Sequence, residues 1–285
     1  MAKGKALYQP NGKAAEYNRW AVNFYTGCSH DCEYCYCKRG VLAHTWDTKP
    51  HLKKCFKDEK DALDVFKKEM LANRLRVRAE GGVFFSFSTD PCLRETFALT
   101  RRAMLLCFDC DVPVTILTKN VNWIEWLEGV RGEKKMFGDK DDRNPILSTV
   151  HKGRLAVGFT LTGHDELEPN ASPNDSRIGA LFILKTENIH TFASVEPVID
   201  MESSLKVIRQ AAPNCELFKI GLRSGVSKDY YKGQDLKAFM EEATEVVGKH
   251  HGKIYWKESI RSKIIAEPFL KSPVSVNATY NIFNK

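Results

Sequence analysis

The sequence predicts an α/β fold, a parallel sheet covered by helices. Three observations carry this. Six strand-like segments alternate with helical ones along the chain, the signature of βα units in series. The strand-like segments are continuous apolar runs, as strands buried on both faces require. A chain of 285 residues, 43% of them hydrophobic, has enough apolar surface for one large core. Six units fit a partial (β/α)6 barrel or a doubly wound open sheet, and periodicity does not separate the two. In both, ligands sit beyond the C-terminal ends of the strands.

The elements follow in order. Residues 1–16 form a basic, glycine-containing lead-in, and residues 19–25 a first strand. Apolar positions at Leu63, Phe66, Met70, Leu71 and Leu75 have helical spacing and predict a helix over 60–78. Strands are expected at 83–88, 112–118, 154–161, 191–195 and 216–221, with a short closing strand at 254–257. Helices are expected at 93–108, 121–129, 177–185, 203–210 and 235–249, and the polar stretch 131–153 reads as a loop or insertion. The tail from Ile264 to Lys285 is expected over the barrel mouth, and the division is therefore 1–16, a core of 17–260, and 261–285.

Composition narrows the class. No apolar run reaches the length of a membrane span, and Met1-Ala2-Lys3-Gly4-Lys5 does not open a signal peptide. Nine cysteines without a secretory signal predict a reducing cytoplasm and metal chemistry rather than disulfides. The formal charge of +7, from 43 basic and 36 acidic residues, would suit an anionic partner, but the scattered lysines read first as an ordinary solvated surface.

The chemistry is concentrated in Gly27-Cys28-Ser29-His30-Asp31-Cys32-Glu33-Tyr34-Cys35-Tyr36, where the cysteines are spaced C-x3-C-x2-C. Three thiolates in one loop bind three irons of a [4Fe-4S] cubane and leave the fourth open for chemistry. A structural zinc site needs a fourth ligand, and here that falls to His30 or Cys37, crowded into the same loop.

This motif, with an aromatic before its last cysteine, resembles that of the radical S-adenosylmethionine superfamily. The stretch from Asn23 to Tyr36 is similar to the branch containing spore photoproduct lyase, and within it to the group called radical SAM mobile pair protein B. The resemblance spans roughly residues 17–260 and implies the partial (β/α)6 TIM-like barrel as a single radical SAM core. It also implies S-adenosylmethionine and a [4Fe-4S] cluster as cofactors, with Cys28, Cys32 and Cys35 as the cluster ligands, and an external one-electron donor. The reduced cluster would cleave S-adenosylmethionine to a 5′-deoxyadenosyl radical that takes hydrogen from a substrate. The name of the resembling group suggests a second radical protein as partner.

Further residues follow from strand ends and from the resemblance. Thr89 and Asp90, after the second strand, lie where the related lyase binds the amino group of S-adenosylmethionine; Asp90-Pro91 equally reads as a helix start. Lys119, after the third strand, suits the carboxylate of the cofactor. Thr160 and Thr162 follow the fourth strand as ribose or amino-acid contacts. Arg177 and Glu196 lie in segments similar to the same family, and the resemblance places Tyr34 and Tyr36 beside the cofactor. One departure concerns chemistry. Spore photoproduct lyase carries a hydrogen-donating cysteine where Ser88 stands here, and a serine O–H bond is too strong for that role. Cys92 is the candidate substitute, or else a small residue at a helix start. Cys107 and Cys110 read as buried thiols. The function expected is a radical enzyme with an unidentified substrate. The alternatives are a radical enzyme directed at nucleic acid, to which the branch and the weak basic balance point, and a non-enzymatic zinc- or cluster-binding protein.

Overall fold

The computed structural model describes residues 5–124, 152–264 and 271–284. Its strands are β1 (Leu7–Tyr8), β2 (Ala21–Val22), β3 (Tyr25–Thr26), β4 (His51–Leu52), β5 (Val83–Phe85), β6 (Val114–Thr118), β7 (Leu155–Thr160), β8 (His190–Val198), β9 (Leu217–Leu222) and β10 (Lys253–Trp256). Its helices are α1 (Glu59–Ala79), α2 (Phe97–Asp109), α3 (Asn174–Thr186), α4 (Met201–Ala211), α5 (Leu236–Lys249) and the short α6 (Glu258–Arg261). The main sheet runs β1-β2-β5-β6-β7-β8-β9-β10. Only β1 is antiparallel to its neighbour; the other seven strands are parallel. The six expected strands are thus present, and the closing segment at 254–257 is a full member of the sheet. The predicted helix at 121–129 and loop at 131–153 lie largely outside the described residues.

Strand parity explains how the sheet curls. Alternate side chains face opposite sides. Phe84, Ala156, Phe192, Leu217 and Tyr255 meet Ala21 in one interior cluster. Their strand neighbours, such as Phe85, Val157, Ala193, Phe218 and Ile254, pack outward in the larger cluster shared with the helices. Residues from both halves of the sheet meeting inside make a partial barrel rather than an open doubly wound sheet. Gly158 is part of that closure: a Cβ there would stand 2.3 Å from the Phe192 ring.

Helix α1 refines the expected pattern. Asp58 caps it by accepting from the Asp61 N–H at 2.8 Å. The buried stripe is Ala62, Phe66, Met70 and Val77, whereas Leu71 and Leu75 are 52% and 74% exposed. A helix of 21 residues needs only one covered face.

The two ends of the chain plug the barrel. The Glu16 carboxylate accepts from the Tyr255 hydroxyl at 2.9 Å and from the Glu258 N–H at 2.7 Å. Lys219 donates to the Glu16 and Tyr17 carbonyls, each at 2.9 Å. The lead-in is thereby fixed against β9 and β10. The tail packs at the opposite end from that expected. Ile282 joins the interior cluster, Phe283 packs edge-on against His190 at the start of β8, and Ser275 bridges to Ile254 in β10. The tail therefore closes the N-terminal ends of the strands and leaves the mouth open.

Candidate active site

The C-terminal ends of the strands surround a cavity of about 930 Å³ lined by Cys28, Cys32 and Cys35. The loop bearing these cysteines follows β3 and is held from both sides. Gly27 has φ +90°, and a Cβ there would lie 2.5 Å from the Lys49 carbonyl and 2.7 Å from that of Asp47. The Cys28 N–H donates to the Asp47 carbonyl at 2.9 Å. On the far side, Glu33 N–H donates to the Leu167 carbonyl at 3.0 Å, and the Asn170 amide to the Ser29 carbonyl at 3.0 Å. Asp31, at φ 54°, pairs with Lys38 at 2.6 Å.

The thiols have unequal environments. Burial pushes Cys28 up to about 12 and also raises Cys32. A hydrogen bond from Cys37 brings Cys35 down to about 6 and raises Cys37 itself. Cys37 shares the cavity wall and lies 3.5 Å from the Phe87 carbonyl.

Behind this loop is a buried polar network. His30 bridges the Asn170 carbonyl at 3.0 Å and Asp90 at 2.8 Å. Asp90 also accepts from the Thr118 hydroxyl at 2.8 and 2.9 Å and from the N–H groups of Lys119 and Cys92 at 2.8 Å each. Burial alone would raise its pKa; His30 and these donors outweigh burial and hold the carboxyl below its usual value. With both oxygens so occupied, Asp90 positions His30, Lys119 and the cysteine loop relative to one another. Neighbouring Thr89 is different: its hydroxyl is buried with no partner among the described residues, and the residue lines the cavity.

Lys119 leaves β6 on the inward parity and reaches the cavity, its ammonium 5.5 Å from the centre of the Tyr34 ring. Burial opposes its charge, but Cys32 and Glu168 raise its pKa above the ordinary lysine value. The Tyr34 hydroxyl donates to Glu168, which pairs with Arg177. Glu168 is 2% exposed and Arg177 fully buried. Arg177 also donates to the carbonyls of Ser172 and Thr160 at 2.6 Å each.

The structure sorts the predicted residues. Tyr34, Tyr36, Thr89, Asp90, Lys119, Thr160 and Glu196 line the cavity with the three cysteines. Arg177, Thr162 and Cys92 do not line it. Arg177 is enclosed behind Tyr34 as the partner of Glu168, and the Thr162 hydroxyl accepts the His164 N–H at 3.2 Å. Cys92 is fully buried in the helix-facing core, so its thiol has no path to a ligand in the cavity. Ser88 does face the cavity, and its hydroxyl donates to the Tyr25 carbonyl at 2.6 Å.

Sequence reading missed a second polar bank formed by Tyr17, Ser194 and Lys257, which line the cavity beside Glu196. The Tyr17 hydroxyl lies 2.6 Å from both Ser194 and Glu196, and Lys257 donates to Glu196 at 2.5 Å. The available signal was parity: Ser194 and Glu196 alternate with apolar β8 residues, and Lys257 follows Tyr255 on the inward side of β10.

No family model matches the chain, and no curated protein matches it. Solved structures do. A tyrosine-to-phenylalanine variant of spore photoproduct lyase matches with a TM-score of 0.55 at 13% identity, over 83% of this chain and 76% of that one. The chain has the fold of spore photoproduct lyase. A cysteine-to-alanine variant of the lyase, solved with a dinucleoside spore photoproduct, gives 0.55 at 14% identity over 84% and 77% of the two chains. Streptococcus suis SuiB bound to S-adenosylmethionine gives 0.51 at 10% identity, over 90% of this chain but 57% of SuiB. The lyase fold thus accounts for the partial barrel and the open mouth that the cysteine loop overhangs. Among the described residues no helix is long and apolar enough to cross a membrane.

Among the described residues, no three His, Cys, Asp or Glu side chains converge on one point as a single metal ion requires. Three thiolates lining one cavity suit three corners of a cubane, whereas a structural zinc needs a fourth ligand beside them. Thr89, whose hydroxyl has no partner among the described residues, and Lys119 line the same cavity, suiting an amino-acid-bearing cofactor.

Proposed function

We propose that this protein is a radical S-adenosylmethionine enzyme. One observation carries the reading: the three cysteines of a C-x3-C-x2-C loop and Lys119 line one cavity at the C-terminal mouth of a parallel partial barrel. Cys28, Cys32 and Cys35 would hold a [4Fe-4S] cluster. Lys119 would pair with the carboxylate of S-adenosylmethionine, Thr89 would accept from its amino group, and Thr160 would lie along the ribose. When bound, the two cofactors supply a 5′-deoxyadenosyl radical able to take hydrogen from carbon. The protein's part is positioning and exclusion of water. Asp90 fixes the strand ends on either side of the cofactor, the Tyr34–Glu168–Arg177 chain braces the cysteine loop, and Tyr17 with Glu196 and Lys257 forms the facing wall.

A nucleic-acid substrate is the second reading, supported by the structural neighbour that holds a dinucleoside spore photoproduct. With Ser88 in place and Cys92 off the cavity, neither supplies the hydrogen donor of the lyase, and Cys37, which lines the cavity outside the cluster set, is the thiol left to take that part.

The test is anaerobic reconstitution with iron and sulfide, reduction with dithionite, addition of S-adenosylmethionine, and mass spectrometry for 5′-deoxyadenosine. Wild type is expected to form it, and Cys28→Ala, Cys32→Ala and Cys35→Ala are each expected to abolish it. Lys119→Ala is expected to retain iron but weaken S-adenosylmethionine binding by ~10-fold or more, the loss of a charge-assisted pair. Zinc in place of iron, with no deoxyadenosine formed, would overturn the reading.

A further inference from the structure

The cavity carries more positive charge than its own carboxylates neutralise. Three carboxylates line it, and each is committed: Asp31 to Lys38, Asp90 to His30, and Glu196 to Lys257. Five further cations line it, Lys5, Lys13, Lys53, Lys119 and Arg223, and none has a carboxylate partner among the described residues. Lys119 faces the cysteine loop. None of the other four is among the residues assigned to the cofactors.

Arg223 stands out among them because it is built in. It follows β9, its N–H donates to the Tyr231 hydroxyl at 2.8 Å, and Tyr231 in turn donates to the Val198 carbonyl at 2.6 Å. Its guanidinium lies over the Tyr230 ring, 5.7 Å from the centre, and Tyr230 packs against Tyr231. Backbone and guanidinium plane are therefore both fixed before any ligand arrives. The Arg223 Nε–H is buried with no partner among the described residues, and its Nη1 makes only a long bond to the Tyr230 hydroxyl at 3.4 Å, so the Nη groups keep donor capacity for a ligand. Lys13 reaches the same turn and donates to Ser224 at 2.6 Å, with two further N–H bonds to give. Arg39 closes the far side of the turn through the Gly225 carbonyl at 3.2 Å.

We infer that the turn after β9 is a phosphate-binding subsite, with Arg223 as its fork and Lys13 as its second charge, and that the substrate of this site is phosphorylated. A planar donor fork beside a flexible ammonium matches the oxygens of a phosphate. This rests on the proposed function only in taking the cavity as the substrate site. The phosphate has two possible sources, a free nucleotide-sized monoester or the diester of a nucleic-acid strand.

The experiment measures binding to the reconstituted full-length protein of three probes: a nucleoside 5′-monophosphate, the uncharged nucleoside, and a labelled single-stranded octanucleotide. A phosphate-bearing probe is expected to bind and the nucleoside is not. Arg223→Gln is expected to weaken binding by ~10-fold or more, Arg223→Lys by less, and Lys13→Gln by ~3-fold. Lys60→Gln, an exposed change on α1, is expected to leave binding unchanged. Binding of the octanucleotide alone, with a steep salt dependence, assigns the strand; equal binding of the monophosphate assigns the free ester. If neither phosphate probe binds, or if Lys60→Gln weakens binding as much as Lys13→Gln and Arg223→Gln, the subsite is refuted. Thermal melts identify any variant that fails to fold, in which case Lys13→Gln carries the test. Deoxyadenosine formation by the wild type is read separately, so failure of the radical reading and failure of the subsite are distinct results.

Discussion

At the scale of single residues, the barrel interior holds two buried lysines with unequal surroundings. Lys257 has Glu196 at 2.5 Å and Glu16 at 3.4 Å. Lys219 donates to the carbonyls of Glu16 and Tyr17 and lies over the Tyr17 and Tyr255 rings, with no carboxylate in ion-pair distance among the described residues. Burial, and next the repulsion of Lys257, bring Lys219 down to about 7. An unfolded lysine titrates near ~10.4. Between about pH 7 and 10 the unfolded chain therefore holds a proton that the folded chain has released, and this group makes stability rise with pH across that window. Lys219→Met keeps the aliphatic stem and removes the titration. Urea unfolding at several pH values from 7.5 to 9.5 should give a less positive slope of stability against pH in the variant than in wild type. Identical slopes would mean that Lys219 keeps its proton in the fold.

At the scale of elements, the cysteine loop shows what the sequence makes legible and what it does not. Its spacing announced three ligands on one turn, and the structure brings all three to one cavity. The reason Gly27 precedes them could not be read, because it depends on two carbonyls some twenty residues on. A side chain there meets both the left-handed φ of +90° and the Lys49 and Asp47 carbonyls, a strain of about 1–3 kcal/mol. Gly27→Ala is expected to fold with a lower melting temperature and to take up less iron and sulfide on reconstitution than wild type. Full iron content with an unchanged melting temperature would show that the loop has room to shift. The strands were legible for a simpler reason: they are continuous apolar runs, and all six were found. Their ends were not, since side-chain bonds decide them. The first strand stops at Val22 because the next residue, Asn23, turns its amide oxygen to the Phe87 N–H at 2.7 Å and its amide nitrogen to Tyr8 at 2.6 Å. In α1 the spacing of Leu71 and Leu75 suggested a buried face that the helix in fact gives to solvent.

At the scale of the whole molecule, the partial barrel needs both chain ends, and neither end carries a pattern that announces this. The segment at the end of the lead-in brings Glu16 and Tyr17 into the barrel, so one of the four residues of the second polar bank, Tyr17, adjoins a stretch that reads as a basic lead-in. Ser194, Glu196 and Lys257 were visible only as polar residues at alternate strand positions, a signal that acquires meaning once the sheet is known to curl inward. The tail was expected over the mouth because it is the last segment; it goes instead to the bottom, where Ala21, Phe84, Phe192 and Leu217 leave an apolar floor that Ile282 covers. Ile282 is 7% exposed, and its truncation to alanine should cost about 2–4 kcal/mol, lowering the melting temperature by several degrees in a domain of this size. Because the plug and the cysteine loop lie at opposite ends of the strands, Ile282→Ala should bind iron and S-adenosylmethionine as wild type does at a temperature where both are folded. A variant that melts like wild type would show that the tail rests on the barrel without sealing it; one that folds but loses iron would show that the floor and the cysteine loop are coupled through the strands between them.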